Sequence, residues 1–159
     1  MNDRWDETWQ RLLNWTNGQG PSERLAAQIL ISQGFQNIDP SHPLGGPDGG
    51  LDALCTKDGK SWAMAVYFPR RHQSFGGIQK KFSHDLGGAL RCGADGLVFV
   101  TNQELTLQQK KLLRRRAAET PVHLFTLERL TAILDTPSMS GVRKQFLGIG
   151  GDESRIQLG

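Results

Sequence analysis

The sequence predicts an α/β domain in which a mixed β-sheet is flanked by helices on both faces. Two observations carry this fold class. The dipeptide Asp58-Gly59 separates two strand-like segments, and it suits a two-residue type I′ hairpin turn. The apolar run at residues 97–100 is typical of a buried strand, and helical stripes lie before and after it. An antiparallel hairpin followed by alternating helices and strands indicates a mixed sheet.

Two helices precede the first strand. A tryptophan–leucine stripe predicts an amphipathic helix within residues 1–18. Ser22 is expected to cap a second helix, which ends at Gly34. Residues 35–38 then form a short strand, and a loop rich in proline and glycine over residues 39–50 leads into the hairpin.

Three helices and two strands follow the hairpin. An apolar stripe of period 3.6 predicts that residues 74–91 are helical. The later elements are a strand at 97–100, a helix at 106–118, a strand at 122–125 and a helix at 127–134. Beyond Pro137 the sequence patterns that predict helices and strands become weak. We therefore expect one domain over residues 1–136 and a partly flexible extension or linker over residues 137–159.

Composition indicates an ordinary soluble globular protein. Of the 159 residues, 37% are hydrophobic and 22% are charged. No apolar run approaches the roughly 18 residues that a membrane span needs, and the polar N-terminus does not resemble a secretory signal. Cys55 and Cys92 are expected to be reduced core thiols of a cytoplasmic protein. The net charge of +3 and pI near 9.1 are compatible with a nucleic-acid partner.

The hairpin turn fixes which residues oppose one another. With a two-residue loop, Lys57 pairs with Lys60, so Asp52 is expected to lie opposite Ala65. Opposed residues share a face of the sheet, and Tyr67 lies on that face too. The second strand of the hairpin, which follows Gly59, is called the return strand. Its other face is apolar throughout and is expected to be core. The sequence thus predicts one carboxylate, Asp52, on an otherwise uncharged site face.

Several segments together resemble a known family. They are Glu23 at the start of the helix before the sheet, GGPDGGLDA at residues 45–53, DLGGAL at 85–90, GADGLVFVTNQ at 93–103 and LERLTAIL at 127–134. As a set they resemble the Mrr-like branch of the PD-(D/E)XK superfamily, the type IV restriction-endonuclease fold. The resemblance implies a restriction-endonuclease-like mixed sheet, a DNA substrate, and Glu23 and Asp52 as ligands of a divalent metal, usually Mg²⁺.

The chain departs from that family on the return strand. Ala65 and Tyr67 stand where the family has a Gln or Glu and a Lys. An alanine methyl coordinates nothing, and a phenol with a pKa of about 10 is no cation at neutral pH. We therefore expect any Mg²⁺ to be held weakly. The chain also resembles a subgroup, often joined to larger bacterial proteins, whose return strand ends in a sequence like Tyr-Phe-Pro at residues 67–69.

A lysine elsewhere is a candidate replacement for the missing cation. Some members of the superfamily carry the catalytic lysine on the following helix, where this chain has Lys80 and Lys81. Arg70 and Arg71, just beyond the strand, are alternatives. Which of these side chains reaches Asp52 stays open from the sequence.

Two basic groups are candidate phosphate contacts. Arg70 and Arg71 follow the return strand beside the expected site. Lys110 and Lys111 begin a basic helix face whose alternative interpretation is an ordinary solvated surface.

Three functions remain open on the sequence. The first is a Mg²⁺-dependent DNA endonuclease with a rearranged site. The second is a catalytically inactive nuclease-like domain that binds duplex DNA through Arg70, Arg71 and Lys81. The third is a protein-interaction or sensing module on the same scaffold. A protein partner or a further domain after residue 136 fits each of them.

Overall fold

A computed structural model describes residues 4–40 and 51–150 of the chain. The strands are β1 (Gln36–Pro40), β2 (Ala53–Lys57), β3 (Lys60–Tyr67), β4 (Gly96–Thr101) and β5 (Val122–Phe125). The helices are α1 (Arg4–Leu13), α2 (Gln19–Ser32), α3 (Phe75–Arg91), α4 (Leu107–Ala117), α5 (Leu127–Leu134) and α6 (Ser140–Leu147). A short 3₁₀ turn at Pro137–Met139 precedes α6.

The strands form one sheet in sequence order, from β1 at one edge to β5 at the other. The pairs β1–β2 and β2–β3 are antiparallel, whereas β3–β4 and β4–β5 are parallel. One face packs against α1, α2, α5 and α6, and the other packs against α3 and α4. The predicted mixed sheet with helices on both faces is therefore confirmed.

The hairpin between β2 and β3 has the predicted turn and pairing. Asp58 and Gly59 have φ angles of 53° and 76°, and the type I′ turn requires positive values at both positions. Lys57 pairs with Lys60, and the regular ladder continues to Ala53 and Met64.

Strand β3 is covered on both faces. Its residues Trp62, Met64 and Val66 lie in the core beneath α2, whereas Ala63 and Ala65 lie in the core beneath α3. The two alanines are fully buried. The middle of β3 therefore offers no solvated place for a charged side chain, and a charged site must lie at the end of the strand.

The start of α2 differs from the expectation. The helix begins at Gln19, three residues before Ser22, and Gly18 with a φ of 91° stands at the cap. Ser22 is buried inside the first turns and donates to the Gln19 carbonyl at 2.7 Å. Pro21 fits because the first helical turn needs no backbone donor from it. This earlier start adds Gln19 to the helix one turn before Glu23.

The residues after Pro137 belong to the folded core as far as the structure describes them. Met139, Leu147 and Ile149 are buried in the cluster that also contains α1, α2 and α5. Arg143 is fully buried and donates to the carbonyls of Leu134 and Thr136. Residues 137–149 were expected to be an extension, and instead they pack as part of the domain.

Two smaller expectations concern cysteines and membranes. Cys55 is buried as expected, with burial raising its pKa to about 11. Cys92 is exposed at the end of α3 and is not a core thiol. Within the described residues, no helix combines the length and apolar character that a membrane crossing requires.

Gly96, at the start of β4, is expected to tolerate no larger side chain. A Cβ at this position would lie against the Trp62 ring and 2.7 Å from the Pro121 carbonyl oxygen. Because the tryptophan is buried and the carbonyl is backbone, Gly96→Ala should lower the free energy of unfolding by about 1–3 kcal/mol. Chemical denaturation measures this. Gly141→Ala on α6, where a Cβ meets nothing within 4 Å, should leave stability unchanged or slightly raised. Equal effects of the two changes would contradict the packing described for Gly96.

Candidate functional site

Asp52 lies immediately before β2, where the hairpin leaves its regular register. The ladder pairs Ala53 with Met64, and the Asp52 amide also donates to the Met64 carbonyl, at 2.9 Å. Two consecutive residues thus face one residue of the opposite strand, which is the arrangement of a β-bulge, and bulges re-aim the side chains that they carry. Asp52 Oδ2 accepts a hydrogen bond from the Val66 N–H at 2.7 Å.

The bulge changes the face on which Asp52 was expected. The regular register would have put Asp52 opposite Ala65, on the α3 side of the sheet. Ala65 does lie on that side, buried in one cluster with Ile78 and Phe82. Asp52 instead lines a cleft together with Ala53 and Met64, whose side chains belong to the α2 side. The predicted pairing is confirmed for the regular ladder, but the shared face with Ala65 is wrong.

Glu23 joins Asp52 in this cleft, as the family resemblance implied. The cleft has a volume of about 640 Å³ and lies between α2 and strands β1 to β3. Glu23 is half-buried, interacts electrostatically with Asp52 and makes a side-chain hydrogen bond with it. Most of the other lining is apolar, including Ala27, Ile31 and Ile38. Two carboxyl groups from different elements therefore meet at one end of a largely apolar cleft.

The pKa of Asp52 is raised to about 7, chiefly by burial. The hydrogen bond from Val66 opposes this rise, the neighbouring Glu23 carboxylate adds to it, and the Lys81 ammonium opposes it. Burial and the neighbouring Glu23 carboxylate both disfavour the charged form of Asp52. Without a cation, Asp52 therefore retains its proton close to neutral pH.

Gln19, which sequence reasoning missed, completes the polar end of the cleft. Its Nε2 lies 3.5 Å from Asp52 Oδ1 and 3.4 Å from the Val66 carbonyl oxygen. Gln19 lies four residues before Glu23 on α2, so both side chains occupy one helix face. The four-residue spacing could have identified Gln19, but the helix was expected to begin after Ser22 and not at Gln19.

Lys81, and not Lys80, is the helix lysine that acts on Asp52. Lys81 lies on the inner side of α3 and is 28% exposed, whereas Lys80 is exposed. Electrostatic interaction with Lys81 lowers the pKa of Asp52. Lys81 Nζ also lies 2.8 Å from Oδ1 of Asp85, a fully buried carboxylate one turn along α3.

Asp85 is the second site residue that sequence reasoning missed. Burial raises its pKa to about 6, although its ion pair with Lys81 opposes this rise. Within residues 4–40 and 51–150, Asp85 Oδ2 has no hydrogen-bond partner. The spacing Lys81–Asp85 is typical of an ion pair on a helix, and its burial could not be read from the sequence.

The two basic groups differ in how they are held. Arg70 and Arg71 are exposed on the segment that follows β3, which we call the basic segment (residues 69–73). The Arg71 amide donates to the Leu13 carbonyl at 2.8 Å. Lys110 and Lys111 lie on α4, whose inner side is buried beside α3, and neither residue lines the Glu23–Asp52 cleft.

Buried polar side chains at the end of β4 hold the basic segment in place. Asn102 donates to the Pro69 carbonyl at 2.8 Å. Gln103 donates to the Arg71 carbonyl at 2.9 Å and accepts from the Gln73 amide at 2.6 Å. Both are fully buried. Because its backbone groups are bonded in this way, the segment presents Arg70 and Arg71 from a fixed position.

Few groups among the described residues could serve as ligands of a divalent cation. No three His, Cys, Asp or Glu side chains among the described residues come together as a metal-binding group. Residues 41–50 of the loop before the hairpin lie outside the described residues. The oxygens that do converge are the carboxylates of Asp52 and Glu23 and the Val66 carbonyl, and oxygen is the ligand that Mg²⁺ prefers. The remaining ligands would be water.

Comparison with known proteins identifies the fold. No protein-family model matches the chain, and no curated protein shows significant similarity to it. Its structure is similar to that of the DNA modification-dependent restriction endonuclease AspBHI, with a TM-score of 0.60 and 16% sequence identity. The match covers 91% of this chain and 38% of that chain. The chain therefore has a restriction-endonuclease-like fold and spans well under half the length of the protein that it matches.

The raised pKa of Asp52 predicts a stability that falls as the pH rises. A folded-state pKa near 7, against 3.8 for an ordinary Asp, means that the folded chain binds more protons than the unfolded chain between those values. Stability due to Asp52 is thus greatest below pH 4 and is lost as the pH rises to 7. Asp52→Asn should remove this loss and raise Tm at pH 8 by about 2–8 °C in metal-free buffer, after discounting for partial exposure.

Thermal unfolding of the two proteins between pH 4 and pH 8 in EDTA tests this. The difference in Tm should shrink as the pH falls towards 4. A variant that is less stable than the wild type at pH 8 would contradict the assignment of a costly buried carboxylate.

Proposed function

We propose that this chain is a DNA-directed nuclease domain that hydrolyses phosphodiester bonds with a divalent cation, Mg²⁺, held by Glu23 and Asp52. The observation that carries the proposal is the meeting of Glu23 on α2 with Asp52, the residue before β2, in one cleft. From α3, the Lys81 ammonium lowers the pKa of Asp52 electrostatically. An acid pair with a nearby lysine is the set of groups that the resemblance to Mrr-like enzymes implies.

Each residue has a separate part in the proposed reaction. Glu23, Asp52 and the Val66 carbonyl would hold the cation, which would supply Lewis-acid polarisation of a phosphate oxygen. Lys81 contributes a fixed positive charge towards the negative charge that develops on the phosphate. Asp85 keeps the Lys81 ammonium in place through their 2.8 Å ion pair.

The surroundings of Ala65 and Tyr67 on β3 suit the absence of the charged residues that the family has at these positions. Ala65 is enclosed by the core under α3, where a carboxylate would be buried without water. Tyr67 is half-buried on the same side of the strand. Lys81 replaces the missing lysine from the helix instead, whereas no described side chain replaces the second strand carboxylate. The proposal therefore includes weak cation binding.

DNA is the proposed partner because of the fold and the basic segment. AspBHI is by its name a DNA modification-dependent restriction endonuclease, and this chain shares its fold. Arg70 and Arg71 are exposed and held by a bonded backbone, which suits contacts with phosphates. Membership of the Mrr-like branch and a cytoplasmic, bacterial setting are part of the same proposal.

A catalytically inactive DNA-binding domain is the second candidate. One observation favours it: Lys81 is already paired with Asp85, at 2.8 Å. A lysine engaged in that way stabilises less additional negative charge than a free one. Under this candidate the DNA contacts of the basic segment remain and turnover is absent.

Cleavage assays with lysine variants distinguish the two candidates. With Mg²⁺ or Mn²⁺, Asp52→Ala should abolish cleavage of duplex DNA, and Lys81→Met should lower the rate about 10²–10³-fold through the lost charge. Lys80→Met, a matched change on the exposed side of α3, should leave the rate within about threefold, as surface changes usually do.

The folding control is the Tm of each variant, because Lys81→Met leaves the buried Asp85 carboxylate unpaired. The double variant Lys81→Met with Asp85→Asn removes that unpaired charge. Equal losses in the Lys80 and Lys81 variants would contradict the assigned role, and a wild type that binds DNA without cutting it would establish the second candidate.

Binding measurements test the basic segment under either candidate. Arg70→Ala or Arg71→Ala should weaken duplex binding for all sequences and reduce the slope of log K against log salt by about one, as expected for a lost phosphate contact. Lys60→Ala is the control, because Lys60 is an exposed cation at the opposite end of β3. Fluorescence anisotropy over a salt series supplies the slopes. A Lys60 variant that loses as much affinity as the arginine variants would show that binding depends on net charge and not on this segment.

A further inference from the structure

The Gln19 side chain lies where the oxygens of the candidate cation site converge. Its amide nitrogen is within hydrogen-bond range of two acceptors, Asp52 Oδ1 at 3.5 Å and the Val66 carbonyl of β3 at 3.4 Å. Glu23 stands one turn further along α2 and interacts with the same aspartate. A donor with partial positive charge is thus surrounded by the groups that would hold a cation.

Both contacts are weak, which makes the Gln19 amide displaceable. The two distances lie beyond the usual 2.7–3.2 Å range of N–H···O hydrogen bonds. Gln19 is exposed, and it stands at the first position of α2. A surface glutamine at a helix start changes rotamer without disturbing the core. Its departure would free Asp52 Oδ1 and the Val66 carbonyl oxygen of this contact.

An amide nitrogen and a metal ion exclude each other at this point. Ca²⁺ and Mg²⁺ bind oxygens at about 2.0–2.6 Å, and the NH₂ group of glutamine has no lone pair to offer a metal. An ion in contact with both oxygens would therefore require the Gln19 amide to move away.

We propose that Gln19 is a placeholder that occupies the cation position and competes with the divalent ion for Asp52 and the Val66 carbonyl. The inference rests on the proposed function, because it takes Asp52 and Glu23 as the ligands of that ion. It adds a residue that lowers the affinity of the site. The weak binding of the cation then has two causes, a short ligand set and an internal competitor.

Titration with Mn²⁺, followed by the electron paramagnetic resonance signal of the free ion, tests the competition without any cleavage assay. Gln19→Ala should bind Mn²⁺ about three- to tenfold more tightly than the wild type, the factor that one weak hydrogen bond represents. Gln19→Glu should bind more than about tenfold more tightly, because it turns the competitor into a third carboxylate ligand. Adding Asp52→Asn to either variant should abolish the gain.

The control is Gln28→Ala, the same change at an exposed position of the same helix, and it should bind like the wild type. Weaker binding by Gln19→Ala would overturn the proposal by showing that Gln19 is itself a ligand through its carbonyl oxygen. Wild-type affinity in Gln19→Ala, with binding still dependent on Asp52, would overturn the inference and leave the proposed function intact. An absence of Mn²⁺ binding in the wild type and in every variant would overturn both.

Discussion

The hydrogen bond from the Val66 amide to the Asp52 carboxylate fixes the geometry of the whole site. Strand β3 is covered on both faces, so a carboxylate can stay near water only at the end of the hairpin. The β-bulge at Asp52 directs this side chain towards α2, and the 2.7 Å bond to Val66 holds it there. In the regular register Asp52 would have pointed under α3, where Ala65 lies in apolar packing. Glu23, Gln19 and Lys81 each interact with the Asp52 carboxylate in this position.

The elements that the sequence predicted correctly have strong local signals. Asp58-Gly59 specifies a turn that few other dipeptides form, and the turn alone determines the pairing from Lys57 to Ala53. The apolar stripe that predicted α3 is equally local. The meeting of Glu23 with Asp52 was expected from the family resemblance, and the structure brings the two together. The turn and α3 depend on residues close in sequence, and the Glu23–Asp52 pair depends on a set of motifs shared with a known family.

The features that the sequence did not predict depend on contacts between distant residues. A bulge at Asp52 has no turn residue to mark it. The sequence left Lys80 and Lys81 as alternatives, and the packing of α3 turns Lys81 inward and leaves Lys80 exposed. The local sequence does not mark Arg143 as buried, yet its side chain is fully enclosed and its Nη1 group donates to the carbonyls of Leu134 and Thr136. Residues 137–149 were expected to be an extension, because their burial depends on contacts with α1, α2 and α5 that the local sequence does not show.

The central claim is that one cation binds where Asp52, Glu23 and the Val66 carbonyl converge. Anomalous diffraction from crystals soaked in Mn²⁺ tests it most directly. The account predicts one anomalous peak within about 2.0–2.6 Å of oxygens of Asp52, Glu23 and Val66, with the Gln19 side chain turned away. A soak at saturating Mn²⁺ that leaves Gln19 Nε2 against Asp52 and shows no peak in the cleft would contradict it.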